Sequence, residues 1–407
     1  MTVETLPQQS PPSAAHSGGL DRRQVHAVAA CYFVASFAAL GLPPYLTAIL
    51  PSLGDPQARW AGVLYIVPTV FSGLGAPLWG RLADRFGRKR LLLRAQLGLT
   101  VSFLLAGAAD SLPAFTLALV LQGFLGGTFA ATNGYLAAAL DGSRLSRALT
   151  LMQGSARAAL VAAPILVGAL SPWIDPHRQY LVMAVLPLTA AVFLSLLPEP
   201  ECPEAPTATA DRAPVKSATA PLLTLYVLEF AFVFATVISF PYLIALAEQR
   251  LPGVDGTTTG VLFALPHLCY LVFAARTHRV FDSRPHTGIA LGFGLVALGL
   301  AGHAVAYSLP VFVAVRLLLG AGLTLGLVCL AVLAAGAAKG RPPGRMFGTL
   351  ELVSKGGAVA AGAVAALANG RFGAAAPVVA GTAAALLAAV AATALTLPSL
   401  RQRWSRR

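Results

Sequence analysis

Four charged side chains stand deep inside long apolar runs: Arg157, Glu229, Arg316 and Lys355. On insertion scales a charge at the centre of a bilayer costs about 2.5–3.5 kcal/mol, so each is a candidate for function. Arg157 and Lys355 lie about ten residues, or ~15 Å, into their runs, close to mid-membrane. Two cations facing one cavity would hold an anionic small-molecule substrate, a carboxylate above all. Arginine would grip it as a bidentate fork and lysine as a point charge. Lys355 has Glu351 one turn earlier, an i,i+4 pair that would neutralise it. Arg157 has Gln153 at that spacing, which cannot. Glu229 is placed to carry a coupling proton, or else to form a salt bridge with Arg157 or Arg316. Glu351 is a second candidate proton carrier. His267 is either a third or a hydrogen-bonded packing residue, as His303 is. Gln122 and Asn133 are polar at membrane depth and suit either substrate contact or bonds between helices.

These residues belong to a chain of 407 residues that is 57% hydrophobic and only 11% charged. Soluble domains average about 25% charged residues, so lipid is the solvent here. Twelve apolar stretches of spanning length follow one another, at 25–49, 59–79, 91–109, 113–137, 147–169, 178–197, 221–247, 257–275, 287–307, 310–337, 345–368 and 374–397. They are numbered spans 1 to 12. The polar tail 1–24 precedes them and the basic tail 398–407 follows. The Pro-, Ala- and Thr-rich segment 198–220 reads as a flexible linker between a bundle over 25–197 and one over 221–397. The expected fold is therefore an all-α membrane protein of twelve transmembrane helices in two six-helix bundles.

The net charge of +13 falls between apolar spans and forms no continuous face, which argues against nucleic acid. Lysines and arginines crowd the loops on one side. On the other lie only Arg59, Arg178, Arg250 and Arg371. The positive-inside rule then predicts cytoplasmic N- and C-termini in a bacterial cytoplasmic membrane. The four cysteines are scattered, with no metal or disulfide spacing. No metalloprotease motif, phosphate loop or nucleophile elbow appears. The expectation is a monomeric protein, not an enzyme and without a cofactor, whose work is driven by an ion gradient.

The second half repeats the first. Pro44-Tyr45-Leu46 near the end of span 1 recurs as Pro241-Tyr242-Leu243 near the end of span 7, and Ser146-Arg147 recurs as Gly344-Arg345 at nearly the same offset. Arg157 and Lys355 correspond under that offset. Parallel repeats of this kind place a binding site between the halves near mid-membrane. Tyr45 and Tyr242 would shape the outer cavity or join the interfacial aromatic belt.

Between spans 2 and 3 runs the charged stretch Gly80-Arg81-Leu82-Ala83-Asp84-Arg85-Phe86-Gly87-Arg88-Lys89-Arg90. It closely resembles the Gly-x-Leu-x-Asp-Arg-x-Gly-Arg-Lys signature of the major facilitator superfamily. That resemblance implies the twelve-helix fold, transport by rocking of two halves, and a gating latch at Gly80, Asp84, Arg85, Gly87 and Arg88. Asp141 in the next loop on that side is a candidate partner for Arg88. Two further signatures are altered. Pro164 and Gly168 keep their places in span 5 while other glycines are replaced, and Leu119 stands where an arginine precedes Gln122-Gly123 in span 4. Arg316 has that arginine's spacing before Gly320 in the second half. The segments Leu121–Ala131 and Met152–Arg157 also resemble exporters of citrate-based carboxylate siderophores. The resemblance as a whole implies a proton-coupled exporter of a small anionic metabolite. A broad drug/proton antiporter and an organic-anion/proton symporter are the alternatives.

Overall fold

The computed structural model describes residues 20–140, 142–197, 219–338 and 343–404. The tail 1–19, most of the linker (198–218) and Asp141 lie outside the described residues. Without water to bond, backbone groups in lipid must bond within their own segment, and every described span is helical. Span 1 is α1 (Arg22–Gly41), a 3-10 turn at Pro43–Tyr45 and α2 (Leu46–Ile49). α3 (Ala61–Phe86) and α4 (Arg88–Ala108) form spans 2 and 3. Span 4 is broken into α5 (Leu112–Leu125) and α6 (Thr128–Ala139). α7 (Gly142–Leu170) is span 5, and α8 (Gln179–Met183) with α9 (Val185–Ser195) make span 6. In the second half, α10 (Thr219–Val237), a 3-10 turn at Phe240–Tyr242 and α11 (Leu243–Arg250) make span 7. α12 (Gly256–Phe281), α13 (Pro285–His303), α14 (Leu309–Ala338), α15 (Pro343–Phe372) and α16 (Ala376–Trp404) are spans 8 to 12.

Among the described residues nine helical stretches are long and apolar enough to cross a membrane. Three shorter apolar ones, Ala61–Ala76, Leu112–Leu125 and Gln179–Ser195, fall at spans 2, 4 and 6. Large apolar side chains face outward, among them Leu97, Val101, Leu104 and Leu105 on α4 and Leu271, Val272 and Phe273 on α12. Such faces are stable only against hydrocarbon. The repeat is visible in the backbone, since both copies of the Pro-Tyr-Leu segment form a 3-10 turn leading into a short helix.

The charged stretch 80–90 differs from the loop that the sequence suggests. α3 stays helical through Phe86, and one residue separates it from α4. That residue is Gly87, at φ 96° and ψ 146°, a conformation that a Cβ forbids. Arginine, lysine and leucine are good helix formers, so the helix continues until the glycine turns it.

The face bearing Gly87 is called the hairpin face, and the opposite one the far face. The halves meet where α7 crosses α12 and where α3 crosses α15. Both crossings are glycine contacts towards the far face. A Cβ on Gly168 would fall on the Gly256 carbonyl oxygen, one on Gly260 would fall on the Pro164 carbonyl oxygen, and one on Gly62 would lie 2.7 Å from the Gly362 carbonyl oxygen. Asp255 caps α12 beside this seam. Its carboxylate accepts from the Thr258 amide and hydroxyl at 2.9 and 2.6 Å.

Candidate functional site

Between the halves, polar side chains from five spans converge at mid-membrane. Arg157 of α7 donates from Nη1 towards His267 Nδ1 of α12 at 3.4 Å. Its guanidinium lies 5.6 Å from the centre of the Tyr270 ring, one turn further along α12. Tyr32 of α1 and Glu229 of α10 are its charge neighbours. The Ser354 hydroxyl of α15 donates to Glu229, and Glu351 acts on both Glu229 and Tyr32. Lys355 closes the group by pairing with Glu351 at 3.6 Å. With Arg157 as the donor, His267 accepts at Nδ1 and carries its hydrogen on Nε2. That Nε2 is buried without a partner. The cluster can hold an anion at Arg157 and move a proton at Glu229.

Proline and glycine in the helices set these positions. Pro266 lacks the N–H that would bond the Leu262 carbonyl four residues back. Arg316 of α14 supplies the missing donor: Nε reaches Leu262 O at 2.7 Å and Nη2 reaches Phe263 O at 2.9 Å. Arg316 is fully buried, so its place is behind α12 and not among the substrate ligands that its span suggested. A charge that has left water must be met by hydrogen bonds, and here backbone meets Nε and Nη2 while Nη1 is buried without a partner.

The break in span 4 is met in a similar way. Gly127 adopts a left-handed φ of 75°. Near the end of α5, Phe124 O accepts from Trp79 Nε1 at 2.7 Å and Leu125 O from Arg94 Nη1 at 2.5 Å. The Arg94 guanidinium lies 3.4 Å from the centre of the Trp79 ring, a cation–π stack. A cavity of about 130 Å³ opens beside this break, and Arg88, Arg94 and Lys355 all line it.

Arg157, Glu229, His267, Glu351 and Lys355 are thus brought into one polar chain. Gln122 and Asn133 are not. Gln122 is buried with Oε1 unpartnered, and Asn133 is exposed on α6. In the latch stretch, Gly80 lies within α3, and Arg85 is exposed with its guanidinium 5.3 Å from the Phe86 ring centre. Arg88 approaches Gly134 of α6. Asp141 and the Asp84 side chain lie outside the described residues. Sequence reasoning passed over Tyr32, Tyr270, Ser354, Trp79 and Arg94. Arg94 was legible as a charge only a few residues inside span 3, where it reads as interfacial.

The far face is pinned by the repeated tyrosines. Tyr45 donates to Pro164 O at 2.6 Å and lies over the crossing of α7 and α12, beside Gly168 and Thr259. Tyr242 accepts from Gly62 N at 3.0 Å and donates to Arg59 O at 3.3 Å, over the crossing of α3 and α15. Gly62 is in the first turn of α3, so a hydroxyl from the second half caps a helix of the first. Both tyrosines are buried. Among the described residues, the hydrogen bonds and glycine contacts joining the halves run from the far face to Arg157 and His267.

The sequence pattern of the Major Facilitator Superfamily matches residues 28–284. The chain belongs to the major facilitator superfamily. It is therefore a multi-pass membrane protein of that superfamily. Multidrug resistance protein MdtG of Klebsiella pneumoniae (strain 342) is 29% identical over 250 residues, which cover 59% of this chain and 60% of that one. The MdtG protein of Dickeya zeae (strain Ech586) is 32% identical over 161 residues, covering 38% and 39%. The matched region thus spans between about two-fifths and three-fifths of these relatives' length. In three dimensions the chain resembles the human organic anion transporter MFSD10 (TETRAN), with TM-score 0.67, 20% identity, and 91% and 99% of the two chains covered. It also resembles a POT family transporter in complex with a thioalcohol-conjugated peptide, with TM-score 0.73, 11% identity, and 92% and 96% covered. Both likenesses are of fold.

Proposed function

We propose that this transporter is a proton-driven exporter of small amphipathic molecules that carry a negative charge. It works in a bacterial cytoplasmic membrane with the hairpin face and both termini in the cytoplasm, as the distribution of basic residues favours. On that orientation the far face is the outside, and the glycine seam and tyrosine pins close it. The carrying observation is that Arg157 and Glu229 occupy one polar cluster between the halves. Ionised Glu229 competes with a substrate anion for Arg157. Protonated Glu229 leaves the guanidinium to the anion, and its deprotonation evicts the cargo. Proton and anion thus load the cluster together, a linkage that by itself favours joint movement, and the exporter reading rests on the multidrug resistance relatives.

The test is export measured as uptake into everted vesicles energised by a proton gradient, with citrate and benzoate as labelled anions. Arg157→Gln is expected to abolish anion movement and Glu229→Gln to abolish its dependence on the gradient. Unchanged uptake in Arg157→Gln would sink the anion reading. Export of a citrate-based siderophore is one case within this class, and citrate is the probe for it. The second reading, a broad drug/proton antiporter, is favoured by the MdtG relatives and by the aromatic rings of Tyr32 and Tyr270 around the site. It predicts that loss of the gene sensitises cells to cationic dyes. Accumulation of the anion with the proton instead of against it would indicate a symporter.

A further inference from the structure

The geometry points to a second binding site, an anion subsite at the break in span 4 that takes the carboxylate of a single-ring aromatic acid. The Phe124 and Leu125 carbonyls near the break are already met by Trp79 and Arg94. What the cavity offers a ligand is therefore donors. Arg94 Nε is buried without a partner. The Lys355 ammonium enters from the second half, and Arg88 adds a third cation to the lining. α6 begins here with Gly127 as its cap, which has no side chain to meet the first amides of the helix. These amides carry the positive end of the α6 dipole and add to the pull on an anion. No carboxylate among the described residues lines the cavity. Glu351, the partner of Lys355, is largely exposed.

The remaining wall is largely apolar, formed by the Trp79 and Phe124 rings set edge to face with alanines, Leu91 and Ser72 around them. A volume of about 130 Å³ is close to the ~150 Å³ that accommodates benzene in an engineered protein cavity. The ligand is thus one ring bearing one negative charge. Among the described residues, Lys355 is the only one from the second half that lines the cavity. Rocking of the halves would change its distance from the other lining residues, so the subsite depends on the conformational state. As a loading site for cargo it rests on the exporter reading. As a binding site it stands on the cavity alone.

Trp79 provides the readout. The full chain carrying Trp60→Phe, Trp173→Phe and Trp404→Phe keeps Trp79 as its sole tryptophan. Benzoate, benzylammonium and benzyl alcohol are titrated against its fluorescence in lipid nanodiscs. Saturable quenching by benzoate is expected, at least about tenfold tighter than by the other two, with Arg94→Gln and Lys355→Gln each weakening it several-fold. Arg94 also supports the Leu125 carbonyl, so Lys355→Gln is the variant that decides if Arg94→Gln fails to fold. Equal binding of benzylammonium, or unchanged benzoate affinity in Lys355→Gln, would overturn the subsite. Benzoate binding without anion uptake into everted vesicles leaves the subsite standing and sinks the exporter reading. Uptake without binding at Trp79 does the reverse.

Discussion

At the scale of residues, the decisive distinction is between charges that face the site and charges that hold the scaffold. Arg157 and Arg316 look alike in sequence, each alone in an apolar run. Arg157 faces a histidine, a tyrosine and a carboxylate, whereas Arg316 spends its donors on two carbonyls. Their substitutions should separate. Arg316→Lys cannot reach both carbonyls and leaves a buried charge with fewer bonds, a loss of about 2–4 kcal/mol. Thermal unfolding in detergent should show a lower Tm, while the cargo preference of the folded fraction stays the same. Arg157→Lys should unfold normally and lose cargo affinity. Asp255 gives a smaller, pH-dependent case. The Thr258 amide and hydroxyl hold its carboxyl below the ordinary range. A lowered folded-state pKa means that the cap's contribution is present above the unfolded value near 3.9 and is lost as pH falls through the folded one. Asp255→Ala should therefore cost about 1 kcal/mol at neutral pH and almost nothing in strong acid, measured by unfolding at both.

At the scale of elements, the repeat marked in the sequence proves to be a pair of seals. Pro44-Tyr45 and Pro241-Tyr242 stood out as a recurring tripeptide whose tyrosines were expected to shape the outer cavity or join the interfacial belt, and their partners could not be read. The partners are backbone groups of α7 and α3, which carry no side-chain signature. Tyr242→Phe removes hydrogen bonds to Gly62 and Arg59 that cross between the halves while the far face is sealed, whereas the Tyr45 bond to Pro164 lies within the first half. Tyr242→Phe should shift the balance towards opening there by about 1 kcal/mol, roughly fivefold in population, and Tyr45→Phe should shift it less. Spin labels at Trp173 and Phe372, both exposed near the far face, would report a growing long-distance fraction. A distance distribution identical to that of the parent would refute the pinning role. Gly168→Val is the stronger version, since its side chain cannot coexist with the Gly256 carbonyl.

At the scale of the whole molecule, the fold was the most legible layer and the site the least. Apolar run length is enough to mark spans because backbone in lipid has few alternatives. The spans blurred where helices broke or overran. Span 4 read as one continuous run and is broken at Gly126-Gly127, and Gly80–Phe86 read as a loop and is helix. Site charges were legible as intramembrane oddities, but their partners were not. Tyr32, Tyr270 and Trp79 are unremarkable aromatics until the halves are set together. The asymmetry of the assembled molecule also matters: its seal is built from backbone and glycine at one face, while the cavity near the break in span 4 is built from side chains.

The broken span 4 and the proline-bearing span 8 differ in how they can be made on the ribosome. Trp79 and Arg94 are synthesised before Phe124 and Leu125, so the partners of the break in span 4 are already in the membrane when it arrives. Pro266 in span 8 has no such provision, because Arg316 follows it by about 50 residues, or roughly 3–10 s at 5–20 residues per second. During that interval span 8 is in the bilayer with a carbonyl that its own helix cannot serve. The first half can thus close in chain order, whereas the second must wait for span 10 before span 8 can take its final shape. Chains stalled before Arg316 should show normal protease resistance in spans 1 to 6 and none in span 8, which makes span 10 the committing step of biogenesis.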